Sequence, residues 1–245
     1  MMICMKRYQI DSVFNSLPIE IFWYPAKQQN VKTVVLLKGL YRKHDPDKID
    51  GWENQVIEKN KEMYNFVCIN TARKEIQENE KIEVAFRGKD FLEECDDIKK
   101  GLDFLKKLDI GAVKDNLVVV GSSFGGTVLL GMSDLLEQVS AVIMIGSGCG
   151  KSKNTTKPLL RSMPDEKQLL ETLSNFRGVF VYVRGLKDEA VPTDSQSKVM
   201  NAAIKAKVRL VCEIMNADHQ LRLEEGDKKP AEIISNLIQL AGSYR

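Results

Sequence analysis

Residues 116–130 read NLVVVGSSFGGTVLL, an apolar strand-like run joined to an apolar helix-like run through Gly121-Ser122-Ser123-Phe124-Gly125. In a G-x-S-x-G turn of this kind, the backbone of the serine is strained and its hydroxyl stands above the sheet. Side chains at positions 121 and 125 would collide with the neighbouring strand and helix, so glycine is needed at both. The turn also directs the first amides of the helix at the hydroxyl, where they favour developing negative charge. The stretch therefore predicts a strand, a tight turn that exposes Ser123, and a helix.

The five-residue pattern has a simpler interpretation when it is taken alone. Glycine and serine are common, and a Gly-rich turn with a helix-capping serine would give the same letters. A serine nucleophile also needs a base, and that base needs an acid to orient it. The rest of the chain must supply both groups.

Two later segments supply them. His219 follows the last strand-like run, in NADH at 216–219, and Asp188 follows the preceding one, in GLKDEAVP at 185–192. The chain order is thus Ser123, Asp188, His219, with each residue at the carboxyl end of a predicted strand. That order differs from the orders of the chymotrypsin and subtilisin types. We therefore predict a catalytic triad of these three residues.

Three other residues compete for these roles and are disfavoured. Asp194 lies at the predicted start of a helix, where an N-cap role accounts for it. Glu189 is adjacent to Asp188, and adjacent loop side chains tend to point apart. The only other histidine, His44, follows the third strand-like run, and we expect it at the surface rather than in the site.

Apolar runs recur along the whole chain and predict eight strands, at 6–14, 18–24, 31–39, 64–70, 116–121, 140–146, 179–185 and 208–215. Helix-period stretches lie between them or after them, most clearly at 89–108, 165–176 and 229–242. Continuous apolar strands alternating with helices are typical of a mostly parallel sheet covered on both faces. The first two strands, joined by a short turn, predict an antiparallel hairpin. No repeat or linker divides the chain, so we expect one α/β domain over residues 1–245.

The composition excludes several classes of protein. The 36 basic and 34 acidic residues give a net charge of +2, which does not suggest nucleic-acid binding. No apolar run approaches the roughly 20 residues that span a membrane. Five scattered cysteines and a start without a signal-cleavage pattern indicate reduced thiols and a cytoplasmic protein. Two histidines are too few for the usual His-rich zinc sites, so we expect no metal.

On the segments GSSFG at 121–125, G-x-x-D-x-x-V-P at 185–192 and ADH at 217–219, the sequence resembles the α/β-hydrolase superfamily. It is similar to the compact serine esterases and acylhydrolases that lack a large lid domain. The resemblance implies an oxyanion hole formed by the backbone N–H groups of Leu40 and Phe124. Members of this superfamily usually carry His-Gly and an apolar residue after the third strand, whereas this chain has Lys38-Gly39-Leu40.

The resemblance also implies the reaction. Ser123 would attack the carbonyl carbon of a small-molecule ester or thioester, and water would hydrolyse the acyl-enzyme without any cofactor. An acyltransferase would use the same residues with an alcohol in place of water, and a non-catalytic ligand-binding protein could retain the same scaffold. The sequence does not separate these functions or define the oligomeric state.

Two weaker signals lie after the strand at 140–146. The run GSGCGKS at 146–152 is one residue short of a phosphate-binding P-loop and precedes a poor helix start, so we do not expect nucleotide binding. The loop 147–163 contains basic residues and no acidic ones. It is either a basic rim for an anionic part of the substrate or an ordinary solvated loop. Residues 151–176, including the helical stretch, could form a small cap.

Overall fold

The computed structural model describes residues 5–14, 16–28, 31–40, 42–48, 51–74, 82–86, 88–108, 117–150, 158–223 and 230–244. Within this part of the chain, eight strands form one sheet: β1 (Lys6–Asp11), β2 (Pro18–Tyr24), β3 (Thr33–Leu37), β4 (Asn65–Asn70), β5 (Leu117–Ser122), β6 (Ala141–Ile145), β7 (Val179–Gly185) and β8 (Val208–Ile214). Their order across the sheet is β1-β2-β4-β3-β5-β6-β7-β8. Strand β2 runs antiparallel to β1 and β4, and all other neighbours are parallel. The predicted mostly parallel sheet with an N-terminal hairpin is therefore confirmed.

The helices that the structure describes are α1 (Trp52–Asn60), α2 (Ile82–Phe86), α3 (Phe91–Lys107), α4 (Phe124–Leu130), α5 (Ser133–Leu136), α6 (Pro158–Arg161), α7 (Glu166–Ser174), α8 (Thr193–Ala202) and α9 (Pro230–Ser243). A capping box begins α3, because the Asp90 side chain accepts from the Glu93 N–H and the Glu93 side chain accepts from the Asp90 N–H. This box places the first turn of α3 after residue 90, close to the predicted start at 89.

The sheet separates two apolar cores, and alternate residues of the central strands enter opposite ones. In β3, Val35 and Leu37 pack into the core beneath α3, α4 and α7, whereas Val34 and Leu36 pack into the core beneath α1 and α9. Because both faces are covered, the central strands are apolar along most of their length, as the continuous runs predicted. Strand β8 lies at the edge, and its exposed and half-buried residues alternate.

Two differences from the predicted elements have local causes. Strand β1 ends at Asp11 rather than at residue 14, because Asp11 pairs with Pro18, the first residue of β2, and the chain then turns. Helix α1 was not predicted because it has a weak apolar stripe, with Val56 and Ile57 as its buried apolar residues. The carboxyl ends of β3 to β8 meet at one edge of the sheet, which is where ligands bind in open α/β folds.

Candidate active site

Ser123 occupies the tight turn between β5 and α4 with φ of 52° and ψ of −120°, a conformation that non-glycine residues rarely adopt. The two glycines of the motif are sterically required. A Cβ at Gly121 would lie 2.6 Å from the Gly126 Cα, and one at Gly125 would lie 2.5 Å from the Leu37 carbonyl oxygen. The predicted collisions with the helix and with the neighbouring strand are therefore confirmed.

The three predicted triad residues meet in space. The Ser123 Oγ lies 2.9 Å from the His219 Nε2, and the His219 Nδ1 lies 2.8 Å from the Asp188 Oδ2. The Asp188 side chain is 1% exposed and the His219 side chain is 24% exposed. The arrangement is a continuous hydrogen-bonded chain that runs from a buried carboxylate to an accessible hydroxyl, across residues far apart in sequence.

Further donors hold the Asp188 carboxylate. Its Oδ1 accepts from the backbone N–H groups of Ala190 at 2.9 Å and Val191 at 3.2 Å. Its Oδ2 also accepts from the Gln196 Nε2 at 2.9 Å. Gln196 is buried in the first half of α8, and sequence reasoning missed it. The only signal was a polar residue on the helix face that also carries the buried Val199.

Gly146, at the carboxyl end of β6, lies against the histidine–aspartate pair. Its φ is +53°, and a Cβ there would lie 3.2 Å from both the Asp188 Oδ2 and the His219 Nδ1. In the sequence, Gly146 ends the strand-like run at 140–146 and begins the P-loop-like run, and neither pattern indicates this contact. In that run, Lys151 and Ser152 lie outside the described residues.

The loop after β3 lies beside the nucleophile. A Cβ at Gly39 would lie 3.2 Å from the Ser123 Cβ and 3.6 Å from its Oγ. Within the described part of the chain, no group accepts a hydrogen bond from the backbone N–H of Leu40 or of Phe124. These two amides, which the resemblance implied as oxyanion donors, belong to the residues that follow Gly39 and Ser123, and neither is committed to another described residue.

Lys38, which stands where the superfamily usually has histidine, is engaged elsewhere. Its Nζ donates to the Lys43 carbonyl at 2.9 Å and lies 3.1 Å from the Glu53 Oε1 in α1. The side chain therefore ties the loop to α1.

His44 was expected at the surface, and that prediction was wrong. The residue is 3% exposed, and its Nε2 lies 2.7 Å from the Tyr24 hydroxyl. The backbone N–H and carbonyl of His44 both bond to the Asn70 side-chain amide. Burial, together with the nearby Lys38 charge, lowers the pKa of His44 to about 3. His44 is therefore a neutral side chain that packs against the Phe22 and Tyr24 rings.

The structure also describes Asp194 and Glu189, the two acidic residues that competed with Asp188 for the role of the orienting acid. Asp194 is not the N-cap of α8, as was expected, because Pro192 takes that position. Asp194 lies in the first turn, is 79% exposed, and pairs with Lys198 at 2.8 Å. Glu189 is exposed next to Asp188. Neither residue has a hydrogen bond to His219 within the described chain.

The segment after β6 is only partly described. Lys151, Lys153 and Lys157 of the basic loop fall in residues 151–157, outside the described part, and Arg161 is exposed at the end of α6. In the expected cap region, the described α7 packs on α4, α5 and α8, with its Leu169 and Leu173 buried in the core. The basic rim and the cap therefore stay predictions.

The described residues contain no group of three or more His, Cys, Asp or Glu side chains that could hold a metal ion. None of their helices is both long enough and apolar enough to cross a membrane.

Comparisons with known proteins were made for the sequence and for the fold. A family model described as BAAT / Acyl-CoA thioester hydrolase C terminal matches residues 98–232, more than half of the chain, including Ser123, Asp188 and His219. No curated protein matches the sequence significantly.

Similar solved structures cover nearly the whole chain. A protein from Thermoplasma acidophilum described as a predicted CIB-like hydrolase is 16% identical with a TM-score of 0.63, and the match covers 97% of this chain and 99% of that one. The esterase domain of a Rhodothermus marinus protein is 14% identical with a TM-score of 0.66, at 97% and 98% coverage. A thioesterase domain from the curacin biosynthetic pathway is 11% identical with a TM-score of 0.67, at 96% and 99% coverage. At these identities the likeness establishes the α/β-hydrolase fold.

Proposed function

We propose that this chain, which belongs to the BAAT / acyl-CoA thioester hydrolase C-terminal family, is a serine hydrolase that cleaves a small-molecule carboxylic ester or thioester. One observation carries the proposal. The Ser123 Oγ, the His219 imidazole and the Asp188 carboxylate form one hydrogen-bonded chain with links of 2.9 and 2.8 Å. In this geometry a weakly nucleophilic hydroxyl has a base within reach, and that base has an orienting acid.

In the acylation step, Ser123 attacks the carbonyl carbon of the substrate while His219 takes the hydroxyl proton at Nε2. Asp188 keeps the other ring nitrogen protonated and stabilises the imidazolium that forms. The carboxylate already accepts from Ala190, Val191 and Gln196, so its orientation is fixed before the substrate binds. Such preorganisation lowers the reorganisation that the transition state requires.

The tetrahedral intermediate carries its negative charge on the former carbonyl oxygen. We assign the backbone N–H groups of Leu40 and Phe124 as the donors to that oxygen. Phe124 follows Ser123 in the chain, Leu40 follows Gly39, which lies against Ser123, and neither N–H has an acceptor within the described chain. Loss of one such donor typically raises the barrier by about 2.7–4 kcal/mol.

Collapse of the intermediate expels the alcohol or thiol, which takes the proton from His219. Water then enters, His219 removes its proton, and the acyl-enzyme is hydrolysed to the free acid and Ser123. Besides the substrate and water, these steps use only side chains and backbone amides of the chain. An acyltransferase would differ solely in the acceptor that replaces water.

The experiment that tests the proposal compares wild type, Ser123→Ala and His219→Ala on two substrate series. One series consists of p-nitrophenyl esters from acetate to decanoate, and the other of acyl-CoA thioesters of matched chain length, with thiol release followed by a colorimetric reagent. We expect turnover on at least one series, and a loss of several orders of magnitude in both variants. Folded wild-type protein that turns over neither series, or Ser123→Ala that keeps wild-type turnover, would contradict the proposal. Product analysis with added alcohol separates hydrolysis from acyl transfer.

A further inference from the structure

Arg73 follows β4 and is 4% exposed, yet its guanidinium is directed at the backbone of the loop after β3. Its Nη2 donates to the carbonyl oxygens of Gly39 at 3.1 Å and Arg42 at 3.0 Å, and its Nη1 donates to that of Leu40 at 3.2 Å. We propose that Arg73 is a positioning residue of the oxyanion hole, which holds the Leu40 N–H toward Ser123. This inference rests on the proposed function.

One peptide unit connects the Arg73 guanidinium to the Leu40 N–H. The Gly39 carbonyl and the Leu40 N–H belong to one planar trans peptide, so they point in opposite directions. Fixing the oxygen on one side therefore fixes the hydrogen on the other. Gly39 itself lies against Ser123, since a Cβ there would be 3.2 Å from the Ser123 Cβ. A charged donor on the carbonyl also polarises the peptide and makes its N–H a stronger donor.

A second cation restrains the far end of the same loop. The Lys38 Nζ donates to the Lys43 carbonyl and pairs with Glu53, and the Lys38 and Glu53 side chains are 11% and 10% exposed. Arg73 and Lys38 together bind carbonyl oxygens at 39, 40, 42 and 43. The described residues of this loop, 38–40 and 42–43, belong to no helix or strand, so the Arg73 and Lys38 side chains supply hydrogen bonds that regular secondary structure would otherwise provide.

Burying a guanidinium is costly unless its charge is balanced. The balance comes from the start of α3, where Glu94 and Asp97 are buried and both pair with the buried Lys89. Arg73 forms no ion pair of its own among the described residues, but the Glu94 charge acts on its guanidinium and offsets part of the cost of burying it.

The same network anchors the backbone next to Arg73. The Asp97 Oδ2 accepts from the Ala72 N–H at 2.8 Å, and the Thr71 hydroxyl donates to Glu94 at 2.8 Å. The Arg73 guanidinium also lies over the Phe86 ring, 5.2 Å from its centroid. The backbone that precedes Arg73 is therefore anchored to α3, and the guanidinium itself packs on an aromatic ring.

The test uses Arg73→Lys, which keeps the charge but replaces a fork of donors by a single point donor. Arg73→Gln is the second variant, should the first not fold, and Arg7→Lys is the matched control, since Arg7 pairs with Glu20 at the far edge of the sheet. The measurements are kcat and KM, the melting temperature, and the affinities for two ligands. One ligand is a trifluoromethyl ketone, which forms a tetrahedral oxyanion on the nucleophile, and the other is the product carboxylic acid.

We expect kcat to fall roughly 10–100-fold in Arg73→Lys, less than or comparable to the loss of a whole donor. Affinity for the trifluoromethyl ketone should fall by a similar factor, while KM and product affinity change by less than about threefold. The inference is overturned if kcat and ketone affinity match those of Arg7→Lys, or if product affinity falls in proportion to ketone affinity. Wild-type turnover in Ser123→Ala would instead remove the proposed function itself, whatever Arg73→Lys does.

Discussion

The Gln196 Nε2 donates to the Asp188 Oδ2 at 2.9 Å, the same oxygen that lies 2.8 Å from the His219 Nδ1. One carboxylate oxygen is therefore shared between the base and a buried amide. The amide is oriented by a further bond from Nε2 to the Val191 carbonyl at 3.0 Å. Through these bonds α8 positions the acid of the proposed triad.

Gln196→Met should alter the pH dependence of the reaction more than the fold. Without the amide donor, more of the negative charge on Asp188 is available to stabilise protonated His219, so the acidic limb of kcat/KM should move to higher pH. We expect kcat to fall roughly 10–100-fold, because Asp188 loses a donor that orients it and a hydrogen bond to a charged group is worth about 1.5–3 kcal/mol. The measurement is a pH–rate profile. Gln138→Met, which removes an amide bonded to Lys106 on the surface, is the control and should leave the profile in place. An unmoved limb in Gln196→Met would contradict the role of Gln196.

Gly146→Ala should reduce activity beyond its effect on stability. The alanine methyl would press on both Asp188 and His219, and φ of +53° is strained for alanine. Gly88→Ala is a matched control, because Gly88 has φ of +79° but a Cβ there meets no described atom within 4 Å. We expect both variants to lose about 1–2 kcal/mol in free energy of unfolding. Only Gly146→Ala should lose activity, by roughly 10-fold or more, since small misplacements of catalytic groups are costly. Equal activities in the two variants would show that the contact is unimportant.

His44 predicts a specific pH dependence of stability. Its pKa is lowered to about 3 in the folded protein, so the unfolded chain, with a pKa near 6.5, binds a proton more readily. Neutral His44 therefore favours the folded state fully above pH 6.5. The free energy of unfolding falls as the pH drops toward 3, by about 2 kcal/mol between pH 7 and pH 5. Denaturant unfolding of wild type and His44→Gln at both pH values measures the difference. The assignment is contradicted if wild type loses no more free energy of unfolding between pH 7 and pH 5 than His44→Gln does.

Lys89→Met should be among the most destabilising single changes. It removes the cation that pairs with both Glu94 and Asp97 and leaves two buried carboxylates close together. Breaking a buried pair in this way costs about 3–5 kcal/mol. Lys106→Met, which breaks an exposed pair with Asp103, should cost less than about 1 kcal/mol. Unfolding by urea measures both, and similar losses would mean that the buried network contributes little.

The sequence predicted the features that depend on local pattern. Apolar runs located the central strands because burial on both sheet faces leaves few polar positions, as in β3. Ser123, Asp188 and His219 were found because the turn needs its glycines and because chemistry collects at the carboxyl ends of strands. These signals lie within a few residues of the groups they identify.

The missed residues depend on contacts across the fold. Arg73 contacts a loop more than 30 residues before it, and Gln196 reads as an ordinary helix residue until β7 places Asp188 beside it. Gly146 belongs to a run that resembles a P-loop in sequence, and nothing in that run indicates that the residue lies against the histidine–aspartate pair. His44 is polar in sequence, yet Tyr24 and Asn70 satisfy it inside the protein. In each case the partner, and not the residue type, determines the role.

The most direct test of the central claim, that Ser123 is the nucleophile, is to map the site of fluorophosphonate labelling by peptide mass spectrometry. The account predicts one equivalent of label on the peptide that contains Ser123, and none on folded Ser123→Ala protein. It also predicts much slower labelling of His219→Ala, because the hydroxyl then lacks its base. Folded wild-type protein that remains unlabelled, or that carries its label on another residue, would contradict the account.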